Sequence, residues 1–180
     1  MKIKAEKSIF VQVDIQEKLF PHIQNNEELE KNLQILIKGL KLHEIPIIVN
    51  EQYKKGIGET INSLNELTKD YPHFEKTTFS CCGNEDGLNA IKNSERDTVI
   101  LAGIETHVCV LQTALDLLEE GFKVVLVTDC VNSRKQNDKD MAIQRLIQSG
   151  AIMTTYESLL FELTVDAKHP VFKEISKLVK

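Results

Sequence analysis

The chain has 180 residues, 42% of them apolar and 27% charged, which suits one compact domain with its own core. A formal charge of −5 gives no basic face for nucleic acid or anionic lipid, and no stretch approaches the ~20 apolar residues of a membrane span. With 6% aromatic residues and no tryptophan, stacking on bases or sugars is not suggested either.

The N-terminus runs into a strand without a signal-type apolar region, so a cytoplasmic location is expected. There Cys81, Cys82, Cys109 and Cys130 should be reduced, and their spacing makes no zinc site. Residues 8–13 are a short apolar run ending at Asp14, with a turn over 15–20 behind it. Residues 27–43 repeat apolar side chains at helical spacing: Leu29, Leu33, Leu36, Ile37 and Leu40. A second strand is expected over 46–49, a polar loop over 50–59, a short helix over 60–67 and a weak third strand over 75–79. The fourth strand, 99–102, stops at Gly103, and a polar turn over 104–107 leads into a helix from Cys109 to Gly121. The fifth strand is read over 123–128, then a helix over 138–149 capped by Asp138 and Gly150, and a sixth strand over 151–155. Helices over 158–163 and 170–180 close the chain.

Ile- and Val-rich strands alternating with helices predict a parallel sheet covered on both faces: an α/β fold in three layers, α/β/α, as one domain over 1–180. Six such strands most often adopt the doubly wound order 3-2-1-4-5-6. Its switch point lies between strands 1 and 4, where Asp14 and Cys109 would meet. At a helix start, Cys109 would see free N–H groups and the positive end of the dipole, which favour the reactive thiolate. A small buried hydrophobe is an equally weighted reading. Asp14 reads as a helix N-cap or as a carboxylate that takes the thiol proton. Lys76 alone would be a solvated surface residue, and matters only if strand 3 brings it to the same sheet end. His107 is unsuited to a dyad with Cys109, because residues two apart at a helix start do not face each other. It is read as a surface residue or a substrate contact. Gly56 and Gly58 lack the context of a phosphate loop.

Asp14 in VDIQEKLF, Lys76 in FEKTTFS and Cys109 in AGIETHVCV together resemble the isochorismatase-like cysteine hydrolase superfamily. The loop EQYKKGIGET, the segment TDCVNSR and the tail from Thr154 resemble most closely its isochorismatase domain-containing subgroup. The resemblance implies a Rossmann-like fold and a cofactor-independent hydrolase acting on a C–N bond of a small amide. Cys109 would be nucleophile, Asp14 general base and later acid, and Lys76 their electrostatic partner. It also implies a cis peptide at Ile104–Glu105, an oxyanion hole from the N–H groups of Glu105 and Cys109, and an acyl-enzyme intermediate. Phe20, Tyr53 and Phe79 flank the turn after strand 1 and the loops after strands 2 and 3, and are read as substrate contacts or as ordinary core or subunit interface; His107 is the fourth expected substrate contact. The metal-binding members carry histidines after strand 2, where this chain reads Asn50, Glu51, Gln52, Tyr53, so no metal is expected. Isochorismatase proper, a vinyl ether hydrolase, lacks the cysteine. A binding or scaffold protein with vestigial residues is the alternative, as is a vinyl ether hydrolase. A homo-oligomer, dimer or tetramer, is expected, and the apolar face of Val171, Phe172, Ile175, Leu178 and Val179 is read as an assembly surface or as packing on the chain's own sheet.

Overall fold

The computed structural model describes residues 2–180. β1 (Ser8–Val13), β2 (Ile47–Gln52), β3 (His73–Lys76), β4 (Thr98–Ile104), β5 (Lys123–Asn132) and β6 (Ile152–Thr154) form one sheet in the order β3-β2-β1-β4-β5-β6. Every pairing is parallel. This is the doubly wound order read from the sequence, with its reversal between β1 and β4. Both central strands are buried at every position, as strands covered on two faces must be.

α1 (Asn26–Leu42) buries Leu29, Leu33, Leu36, Ile37 and Leu40 along one stripe. α2 (Lys54–Ile57) is a single turn in the loop after β2, and α3 (Asn62–Thr68) follows it. α4 (Glu85–Asn93) and α5 (Leu111–Glu119) flank β4 in sequence. α6 (Gln136–Gln148), α7 (Tyr156–Thr164) and α8 (Phe172–Leu178) complete the chain. α1 packs against α3, α7 and α8, and α5 packs against α6. No helix among the described residues is long and apolar enough to cross a membrane.

Several boundaries differ from the sequence reading, each for a local reason. β3 ends at Lys76 rather than continuing to Phe79, because the carbonyls of Thr78 and Phe79 turn back to accept hydrogen bonds from Lys76 Nζ. α6 begins at Gln136, so Asp138 lies within its first turn and is not its cap. Gly150, at φ +96°, does follow its end. Asp14 is not a helix cap either: its φ is +52° and its N–H donates to the Asn50 carbonyl at 3.0 Å. The fifth strand runs on to Asn132 through an irregularity, since the register passes from Leu101↔Leu126 to Gly103↔Val131. Gly103 has φ +136°, and a Cβ there would stand 2.1 Å from the Val13 carbonyl oxygen. Only glycine lets β4 pass β1 so closely at the sheet end that carries the site.

α4 was not read from the sequence at all. Its signal is Asn84 followed by Glu85 and Asp86, a start motif set in a polar stretch. Asn84 Oδ1 accepts the Gly87 N–H at 2.9 Å, and its Nδ2 donates to the Glu75 carbonyl at 2.7 Å. It therefore caps α4 and ties it to β3. Asn84→Ala is expected to cost about 1 kcal/mol, read as a lowered denaturation midpoint with an unchanged m-value.

Candidate active site

The carboxyl ends of β1, β3 and β4 deliver three side chains to one place. Lys76, the last residue of β3, directs Nζ at Asp14 Oδ2 (2.7 Å), Gln52 Oε1 (2.7 Å), the Phe79 carbonyl (3.0 Å) and the Thr78 carbonyl (3.2 Å). Both charged side chains of the Lys76–Asp14 pair are 0% exposed. A buried ammonium is tolerable only when so surrounded by acceptors. The Cys109 thiol and the Asp14 carboxyl act on each other, and Asp14 Oδ1, on the side away from Lys76, has no hydrogen-bond partner among the described residues.

Cys109 does not open a regular helix. It sits inside a π-helical turn, Thr106–Val110, that precedes α5. The N–H groups of Val108 and Val110 both donate to the Glu105 carbonyl, at 3.1 and 3.2 Å. The Ile104–Glu105 peptide that leads into this turn is cis. Thr113 Oγ1 donates to the Cys109 carbonyl at 2.6 Å and accepts the Cys81 N–H at 2.9 Å. Cys81 is buried beside the site, and burial pushes its thiol up to about 12.

The electrostatics correct the expected thiolate. Burial, then the Asp14 carboxylate, push the Cys109 thiol well above its ordinary range, and Lys76 offsets only part of this. Burial also raises the Asp14 carboxyl, against the pull of Lys76. The resting pair is a protonated thiol beside a carboxylate that is a better proton acceptor than a solvated aspartate. Alkylation of Cys109 by iodoacetamide should therefore rise with pH through an apparent pKa above the free value of ~8.5. Peptide mass spectrometry would check this, and Lys76→Met should move the midpoint higher still.

Two glutamines missed in the sequence organise the surroundings. Gln16 Nε2 donates to the carbonyls of Gln52 (2.9 Å) and Gly58 (2.6 Å), and its Oε1 accepts the Gln52 N–H at 2.7 Å. Gln52 in turn holds Lys76 Nζ and the Thr77 carbonyl. Their signal was two polar residues at the ends of apolar strands. Glu51 is 2% exposed and accepts the N–H and Oγ1 of Thr60, both at 2.8 Å. Burial raises its carboxyl, but the Thr60 and Lys54 contacts outweigh that and hold it below the usual range.

The expected substrate contacts are placed unevenly. Tyr53 and Phe79 are exposed next to Lys76: the Tyr53 N–H donates to the Lys76 carbonyl at 2.9 Å. Phe20 is buried in the core. His107 turns to Ser133, with Nδ1 and Oγ 3.0 Å apart. Glu105 and Arg134 pair through Nε and Oε1 at 2.6 Å, beside a cavity of about 530 Å³ that Leu19, His22 and Ile23 also line.

The sequence profile of the isochorismatase domain matches residues 8–158. Isochorismatase family protein 1A of Dictyostelium discoideum is 42% identical over 98% of this chain and 87% of its own length. The structure of MAR1 ribonuclease from Caenorhabditis elegans is 41% identical, with a TM-score of 0.91 over 99% of this chain and 92% of that one. The YcaC gene product of Escherichia coli, described as an octameric hydrolase of unknown specificity, is 25% identical, with a TM-score of 0.94 over 99% and 89% of the two chains. The profile spans most of the chain, and relatives about 40% identical cover nearly all of it: the chain belongs to the isochorismatase family.

Proposed function

We propose that this chain is a cysteine hydrolase that cleaves the C–N bond of a small amide with Cys109, Asp14 and Lys76. The observation that carries this reading is the fully buried Lys76–Asp14 ion pair at the switch point, with the Cys109 thiol on the same carboxyl. Burying two charges costs desolvation that well-packed apolar side chains would not, and a poised general base with its cation gives that cost a use.

In the proposed cycle the Cys109 sulfur attacks the amide carbonyl carbon while Asp14 takes the thiol proton. Asp14 then gives that proton to the leaving amine, and a thioester remains on Cys109. Water adds to the thioester with Asp14 again accepting a proton, and the proton returns to sulfur as the carboxylic acid leaves. The sum is amide plus water giving acid plus amine. The N–H groups of Glu105 and Cys109 would stabilise the tetrahedral oxyanion, a term of ~3 kcal/mol per donor. Lys76 keeps Asp14 ionised at rest. Tyr53 and Phe79 form the apolar rim; Phe20 supports it from the core, and His107 holds the nucleophile's turn against Ser133. No cofactor or metal enters this cycle. The octameric YcaC relative supports a homo-oligomer. A nucleic-acid substrate fits less well, because the net charge is −5 and Lys76 is already held by four acceptors.

The test is a panel of small aliphatic and carbamoyl amides assayed for released amine, with acid quench and mass analysis of the Cys109 peptide. Amine release with an acyl mass on that peptide is expected. A panel giving neither would count against the reading, and acyl mass on another residue would overturn the assignment of Cys109.

A further inference from the structure

Away from Cys109, the carboxyl half of β5 borders a second cavity of about 130 Å³. Its polar walls are Glu28 and Asn32 of α1, Asp129 and Asn132 of β5, and Gln136 and Lys139 of α6. The β5 irregularity creates it. Residues 127–130 stand opposite Ala102 alone, so beyond Val127, which still pairs with Thr154 of β6, this stretch leaves the β4 ladder and re-aims its side chains, as bulges do. Asp129 Oδ1 accepts the Tyr156 N–H at 2.9 Å, which fixes the carboxylate at the cavity wall with further acceptor capacity to spare. Asn32 and Asn132 are fixed too: their Nδ2 atoms donate to the carbonyls of Asp129 (2.9 Å) and Gln24 (2.6 Å).

The Lys139 side chain forms no ion pair or hydrogen bond among the described residues; only its backbone N–H donates, to the Lys135 carbonyl. Asp129 and Lys139 nevertheless act on each other electrostatically, and each is half-buried. Burial pushes the Asp129 carboxyl up and the Lys139 ammonium down. Two opposite charges thus line one small cavity without closing on each other, and each keeps unmet hydrogen-bonding capacity. A molecule bearing both an ammonium and a carboxylate would satisfy them together. At ~30 Å³ per water the space equals roughly four waters, the scale of glycine, alanine or serine.

We propose that this cavity binds a small zwitterion of the α-amino-acid class, with its carboxylate on Lys139 and its ammonium between Asp129 and Glu28. The site shares no residue with the Cys109 centre and stands whether or not that centre is an amidase. Isothermal titration of the full chain with L-alanine and L-serine should give saturable binding. Lys139→Met should weaken it by about tenfold or more, and acetate or methylammonium alone should bind about tenfold more weakly than L-alanine. Cys109→Ala should leave it unchanged. Asp129 also supports α7, so Glu28→Gln, at an exposed position, serves as the acidic-side variant that leaves the fold intact; it should weaken binding of L-alanine but not of acetate. Absence of saturable heat at millimolar ligand, equal binding of acetate and L-alanine, or an affinity unmoved by Lys139→Met would each overturn the proposal.

Discussion

Cys109→Ala is expected to reduce amide turnover by on the order of 10⁴-fold or more while leaving the protein folded. The side chain is small and 7% exposed, and its loss removes one sulfur from a wall that Thr113 and Glu105 hold through backbone groups. The fold therefore does not depend on the thiol, but the proposed covalent intermediate does. Steady-state kinetics beside thermal denaturation separate the two effects. A variant that keeps full turnover would mean that the chemistry, if any, lies elsewhere. A variant that unfolds would say that the sulfur is a packing group, and Cys109→Ser then repeats the test with a side chain of nearly the same size.

Lys76→Met should act on both stability and rate. It leaves the Asp14 carboxylate buried without a cation, a loss of about 3–5 kcal/mol near neutral pH. For a chain of this size that lowers the melting temperature by about 10 °C. The sign with pH follows from Asp14. Its folded pKa is already raised by burial, and removing Lys76 raises it further. A raised carboxyl favours the fold below its unfolded value of ~3.9 and loses that contribution as pH rises through the folded pKa. The deficit of Lys76→Met relative to the wild type should thus be small in acid and grow toward neutrality. The acid limb of kcat/KM should move in parallel to higher pH, because Asp14 must be ionised to take the thiol proton. A deficit independent of pH would show that Lys76 acts through packing and not through Asp14.

Strand order was legible because six apolar runs were separated by helical or polar segments, and the order 3-2-1-4-5-6 follows from a general preference of such chains. Asp14 and Cys109 were placeable for the same reason, each standing just past a central strand. The thiol's state was not legible, because a helix-start position says nothing about how deeply the turn is buried. Burial and the Asp14 carboxylate push the Cys109 thiol up, and Lys76 offsets only part of this. Gln16 and Gln52 were missed because their work lies in contacts 36 residues apart, which no local pattern carries. α4 was missed because its buried residues are few, Gly87 and Ile91, and the remainder of it reads as surface. His107 drew attention by its nearness to Cys109 in sequence, yet its ring turns to a serine 26 residues away.

The outermost strands of the sheet are its shortest, with four residues in β3 and three in β6. A strand arriving from another molecule would find three or four rungs at either margin, too few to hold it against the entropy of being fixed there. The sheet is thereby finished as a surface for growth. Any assembly of this chain with copies of itself would fall to side chains on helices and loops, and strand-by-strand aggregation has little on the native molecule to start from.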